Sequence, residues 1–139
     1  MNNTRRKQIS EIALHLEKTL HIRGNQSAPV VTANDVARLL DYQNEVEALR
    51  DEEDDYYNNM PEGLQSGQRG SASEEALDYL SNAADYLEQA HDALDSALLE
   101  VLYSTSTKSD TEKDELFQSA WEEAVELINN AVDELQSVE

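Results

Sequence analysis

Glu88-x-x-His91 has the i, i+3 spacing that sets a carboxylate and an imidazole side by side on one helix face, half of a di-iron site. That chemistry needs a second such pair and two more inward carboxylates. The other histidines, His15 and His21, follow a Glu by four residues rather than three. Half the constellation is missing, so no metal is expected and His91 reads as a core-edge histidine. Asp51-Glu52-Glu53-Asp54-Asp55 is the densest run of carboxylates. Five consecutive residues go most of the way round a helix, so they do not converge on one cation. Calcium loops instead alternate their ligands around a glycine in an irregular turn. The chain has no Cys, which excludes thiolate zinc sites and Cys nucleophiles. Gly63, Gly67 and Gly70 lack the Lys-Ser/Thr that completes a phosphate-binding loop. No His is placed by motif to activate any of the serines. The expectation is a non-enzyme with no catalytic, cofactor or metal residues.

What is left is a surface. The carboxylates Asp51 to Asp55 are followed by Tyr56, Tyr57 and, past a break, Glu62. Aromatics beside charges are the composition of an interaction hot spot, with Tyr supplying area and a hydroxyl. The plainer alternatives are a solvated acidic turn and a segment that sets hairpin geometry. The acids extend well beyond this run: 30 Asp and Glu oppose 10 Lys and Arg in 139 residues, a formal charge of -20. Residues 1–23 carry five bases and two acids, so the remainder is more anionic still. A basic arm on an acidic body should fold back onto it or reach for an acidic partner. Phosphates would meet a field of their own sign, so direct nucleic-acid binding is not expected, whereas a basic protein is a natural partner.

The elements that must carry these residues are helices. Ile9, Ile12, Ala13, Leu16 and Leu20 recur at steps of three and four, predicting a helix over 4–22. Gly24 to Pro29 breaks it, within a linker expected at 24–34. Thr32 or Asn34 can cap a second helix, with Val36, Leu39, Leu40, Val46, Leu49, Tyr56 and Met60 on its apolar side. Pro61 ends it, and a hairpin loop is expected over 61–72. There Asn59 tolerates a left-handed end, Leu64 packs over the hairpin mouth, and Glu62 and Gln65 cap the next turn.

A third helix, 73–103, carries Leu80, Leu87, Leu94 and Val101 at one heptad position and Ala76, Ala83, Ala90 and Ala97 at another. Asp78, Asp85 and Asp92 fall on the outer position. An apolar stripe this wide suggests two neighbours, and alanine at every step lets one approach closely. A linker at 104–110 precedes a fourth helix over 111–137, capped by Asp110 or Thr111, with Phe117, Ala120, Trp121, Ala124, Leu127, Ile128, Ala131 and Leu135 along one side. The fold class is all-α, an antiparallel helical bundle or long helical hairpin of three to four helices in a single domain, 1–139. Mean hydropathy is -0.70 and no apolar run reaches membrane-spanning length. Arg5-Arg6-Lys7 is followed by interleaved polar residues, so no signal peptide is expected.

Three stretches together carry a resemblance: the basic start Asn2-x-x-Arg5-Arg6-Lys7, the acidic run with its tyrosines, and Asn59-Met60-Pro61-Glu62-Gly63-Leu64-Gln65. The chain resembles small acidic helical proteins encoded in bacteriophage and prophage genomes, whose hairpin pattern looks like Asn-x-Pro-Glu-x-Leu-Gln-x-Ser. The match covers residues 2–16 and about 46–100. Residues about 21–42 look like an insertion, and the fourth helix lies beyond the shared part. The resemblance implies a helical hairpin and a host bacterial cytoplasm as its setting, and carries no shared activity.

Two functions are weighed on this basis. The first is an inhibitor of a basic, nucleic-acid-binding host defence protein, of the DNA-mimic type that blocks restriction or CRISPR nucleases. Asp51, Glu52, Glu53, Asp54, Asp55, Tyr56, Tyr57, Glu62, Asp78, Asp85 and Asp92 would form its partner-binding surface. The alternative is a self-associating structural or assembly protein, a homodimer that covers the apolar belt around Tyr79, Tyr86, Phe117 and Trp121.

Overall fold

The structure, a computed structural model, describes residues 3–24, 32–103 and 109–138. Five helices and no strand occur among them: α1 (Asn3–Gly24), α2 (Ala33–Asn58), the single turn α3 (Glu62–Gln65), α4 (Gln68–Tyr103) and α5 (Asp110–Ser137). The all-α bundle expected from periodicity is what forms. The Leu20 side chain and most of the two linkers, at 25–31 and 104–108, lie outside the described residues.

α4 is the hub. It packs along α2 on one side and α5 on the other, and α1 closes the fourth corner, chiefly against α5 and more lightly against α2. Contacts fix the directions. Tyr57 at the end of α2 meets Glu74 near the start of α4, and Asn82 of α4 reaches Glu134 near the end of α5. Arg5 meets Glu53 while His15 meets Tyr42, so α1 runs antiparallel to α2. Each long helix therefore runs opposite to those it packs against, the up-and-down arrangement that short connections favour.

The heptads of α4 explain why it is central. Leu80, Leu87 and Leu94 are fully buried, as are Ala83 and Ala90, with Ala76 and Ala97 nearly so. Phe117, Ala120, Trp121, Ala124, Ile128, Ala131, Val132 and Leu135 of α5 complete the core, with Ile9, Ile12, Ala13 and Leu16 of α1 and Val36, Leu39, Val46 and Leu49 of α2. Each apolar side chain removed from water contributes roughly 1.5–3 kcal/mol, which is what orders helices of otherwise polar composition.

Of the local expectations, the Thr32 cap forms and several others are corrected. Thr32 caps α2 through a reciprocal box: the Asp35 N–H donates to Thr32 Oγ1 (3.3 Å) and the Thr32 N–H donates to the Asp35 carboxylate (2.9 Å). For α5 the cap is Ser109, whose Oγ accepts from the Glu112 N–H at 3.3 Å, not Asp110 or Thr111. Leu40 and Leu64 are exposed rather than packed, and Tyr56 faces solvent. The loop expected over 61–72 is largely helical. α3 fills its first part and α4 starts at Gln68, five residues early. Asn59 stays right-handed at φ -88°, and Gln65 caps backwards, its Nε2 donating to the Tyr57 carbonyl at 2.9 Å.

Candidate interaction surface

The acidic run divides by face. Asp51, Glu52, Asp54 and Asp55 are exposed, whereas Glu53 is 0% exposed. Glu53 is therefore removed from the partner-binding set: no partner can touch a carboxylate sealed inside the bundle. Its place follows from register, because Leu39, Val46 and Glu53 stand seven residues apart on the buried face of α2. Ser73 stands seven residues before Leu80 on the facing seam of α4 and is equally buried.

A carboxylate in such a seam must be ionically or hydrogen-bond compensated. Arg5 Nε of α1 donates to Glu53 Oε2 at 3.1 Å, and the Ser73 hydroxyl donates to Oε1 at 2.6 Å. The Arg5 guanidinium also lies over the Tyr56 ring, 5.5 Å from its centre. Three helices thus meet at one carboxylate. The basic arm does fold back onto the acidic body, and this is where.

One turn on, the Tyr57 hydroxyl donates to Glu74 Oε1 at 2.6 Å. That bond favours the neutral phenol and raises the Tyr57 pKa above its ordinary 10.0. The proton is held more tightly in the folded chain, so this contribution to stability is present below pH about 10 and lost as pH rises through the raised value. An alkaline ultraviolet titration should show a late tyrosine that Tyr57→Phe removes and Glu74→Gln returns towards normal. A titration unmoved by Glu74→Gln would break the assignment. Tyr42 also titrates high: burial raises its pKa most, Arg38 opposes the rise, and the nearby carboxylates Glu45 and Asp41 add to it.

Asp78, Asp85 and Asp92 are all exposed along the outer line of α4, about 10 Å apart at one heptad per step. Glu62 is exposed in α3. The acidic end of α2, α3 and the first turns of α4 lie at the hairpin corner, while Asp85 and Asp92 lie progressively farther along α4. The expected surface is thus a corner with a stripe leading away from it. Glu88 is exposed, and His91 Nδ1 lies 3.1 Å from Asp92 of its own helix. No cluster that could hold a metal ion occurs among the described residues.

The apolar belt offered as a dimer face is covered within the chain. Phe117 and Trp121 are buried and Tyr79 and Tyr86 half-buried. The large aliphatic side chains left exposed on α4 are Leu99 and Leu102, near its end. No described helix is long and apolar enough to cross a membrane.

The fold and this surface define an all-α, strongly anionic helical bundle. No family model matches the chain, and neither a curated protein nor a solved structure matches it.

Proposed function

We propose that this chain is a phage-encoded, non-enzymatic interaction protein that inhibits a basic, nucleic-acid-binding host defence protein in the bacterial cytoplasm. The observation that carries the reading is the charge of α4 and α5, which together hold seventeen acids and two bases, Arg69 and Lys113. Duplex DNA carries about one charge per 1.7 Å of axis. A rigid helical face studded with carboxylates offers a basic channel a related field, and charge steering speeds its arrival. The exposed Asp51, Glu52, Asp54, Asp55, Glu62, Asp78, Asp85 and Asp92 supply the charge, with Tyr56 and Tyr57 for short-range contact. The phage setting rests on the resemblance of the hairpin motif.

The test is to pass a bacterial lysate over the immobilised chain, eluting first with salt and then with duplex DNA. A nucleic-acid enzyme should be retained and released by both. Asp78→Asn/Asp85→Asn/Asp92→Asn should slow its association on the order of tenfold and flatten the salt dependence. Retention indifferent to DNA would defeat the mimic reading. Recovery of the chain alone would favour the rival, a self-associating assembly protein, for which exposed Leu99 and Leu102 are the supporting observation.

A further inference from the structure

α1 and α2 touch lightly, and between them runs an open groove of about 640 Å³. It is lined on α2 from Arg38 to Glu52, roughly 21 Å of helix, which is about four turns. α2 thus presents two stripes. Leu39, Val46 and Glu53 are buried in the bundle, while Tyr42, Ala48 and Leu49 line the groove. α1 contributes Glu11, Ile12 and His15 at steps of one, three and four. Two neighbouring helices that each turn a heptad-like stripe towards an open slot form a seat for another helix.

The chemistry of the seat identifies its occupant. Ile12 and Leu49 form the floor, and Ala48 leaves a notch where a helix can approach. Above them Asp41, Glu45 and Glu52 stand exposed at i, i+4 and i+11 along α2, with Glu11 opposite on α1. Against these four carboxylates stand Arg38 towards one end and His15, whose ring lies 6.4 Å from that of Tyr42. We infer that the α1–α2 groove seats a cationic amphipathic helix of a partner protein, its Lys or Arg facing Asp41, Glu45 and Glu52 and its apolar edge over Ala48. A second copy of the chain fits poorly, because each copy carries -20 and its one basic helix, α1, is already packed into the bundle. This rests on the reading of the chain as a binder of a basic protein, and adds the groove as its short-range contact, with the outer line of α4 left to steer association.

The probe is a labelled amphipathic Leu/Lys helix of roughly 18 residues, long enough at about 27 Å to fill the slot. It is titrated into the full chain and three variants, each first checked by thermal melting. Asp41→Asn/Glu45→Gln/Glu52→Gln removes three charges from the groove, and Asp78→Asn/Asp85→Asn/Asp92→Asn removes three from α4. Ala48→Trp fills the notch without changing charge. The groove triple and Ala48→Trp should each weaken binding about tenfold, and the α4 triple less than about threefold. Equal weakening by the two triples, or unchanged affinity in Ala48→Trp, overturns the groove. So does a dimer that Ala48→Trp splits into monomers. A lysate partner released by DNA but indifferent to the groove variants would leave the inhibitor reading standing and remove the groove. The peptide behaving as expected while no nucleic-acid enzyme is retained would do the reverse.

Discussion

Arg5→Ala should destabilise the bundle by about 3 kcal/mol or more, although Arg5 stands near the start of the chain in a helix of polar composition. The reason is Glu53. Its side chain is 0% exposed and that of Arg5 10%, so the two charges attract one another where water barely screens them. Removing the cation leaves the carboxylate where hydration cannot reach it. The Ser73 hydroxyl offers one hydrogen bond, not a charge. For a chain of this size the loss corresponds to a fall in melting temperature of about 10 °C. Arg6→Ala is the control: Arg6 is exposed and bonds only weakly to Asn3 at 3.5 Å, so the change should stay within about 0.5 kcal/mol.

The design of the pair is separable from its presence. Arg5→Met with Glu53→Leu removes both charges and leaves apolar groups of similar reach, and should recover most of the stability lost in Arg5→Ala. If Arg5→Ala melts like the parent, the three-helix junction at Glu53 does not exist in solution. If the double variant is as unstable as the single one, packing around Arg5 rather than its charge holds α1 in place.

Much of this architecture is legible in the residues. The steps of three and four in α1, α4 and α5 arise from burying one face, and they are local, so a single sequence displays them. Thr32 is equally legible, since a short hydroxyl before Asp35 satisfies helix-end donors without outside help. Glu53 is the opposite case. In a run of five acids it reads as solvated, because burying a carboxylate is costly. Its compensation comes from Arg5, 48 residues earlier, which no local pattern displays. The trace that does exist is register: Glu53 follows Val46, and Ser73 precedes Leu80, each by one heptad. The start of α4 was hidden for a related reason. Glycines at 63, 67 and 70 punctuate a loop by propensity, but tertiary contact draws Gly70 into the helix. The α1–α2 groove could not be read at all, because it depends on how lightly two elements pack.

Gly70→Ala should therefore do the reverse of what helix propensity predicts. At an ordinary helix position the change stabilises by about 1 kcal/mol, since alanine loses less backbone freedom on folding. Gly70 is buried, and a Cβ built there falls inside the backbone of Gln65, against its carbonyl and Cα. Backbone atoms cannot rotate aside as a flexible side chain can. α3 must shift away from α4, and with it the Gln65 amide that donates to the Tyr57 carbonyl at the end of α2. The expected loss is about 2 kcal/mol or more, the scale of overpacking a closed site. Gly63 and Gly67 give the comparison. Nothing lies within 4 Å of a Cβ at Gly63, and at Gly67 the nearest atoms are carbonyl oxygens at 3.5 and 3.6 Å, ordinary contact. Both alanine variants should melt close to the parent, with Gly63→Ala up to about 1 kcal/mol more stable through a less flexible unfolded chain. If Gly70→Ala instead joins Gly63→Ala, α3 does not press on α4, and the hairpin corner is held by Gln65 and the Tyr57–Glu74 bond without close backbone packing.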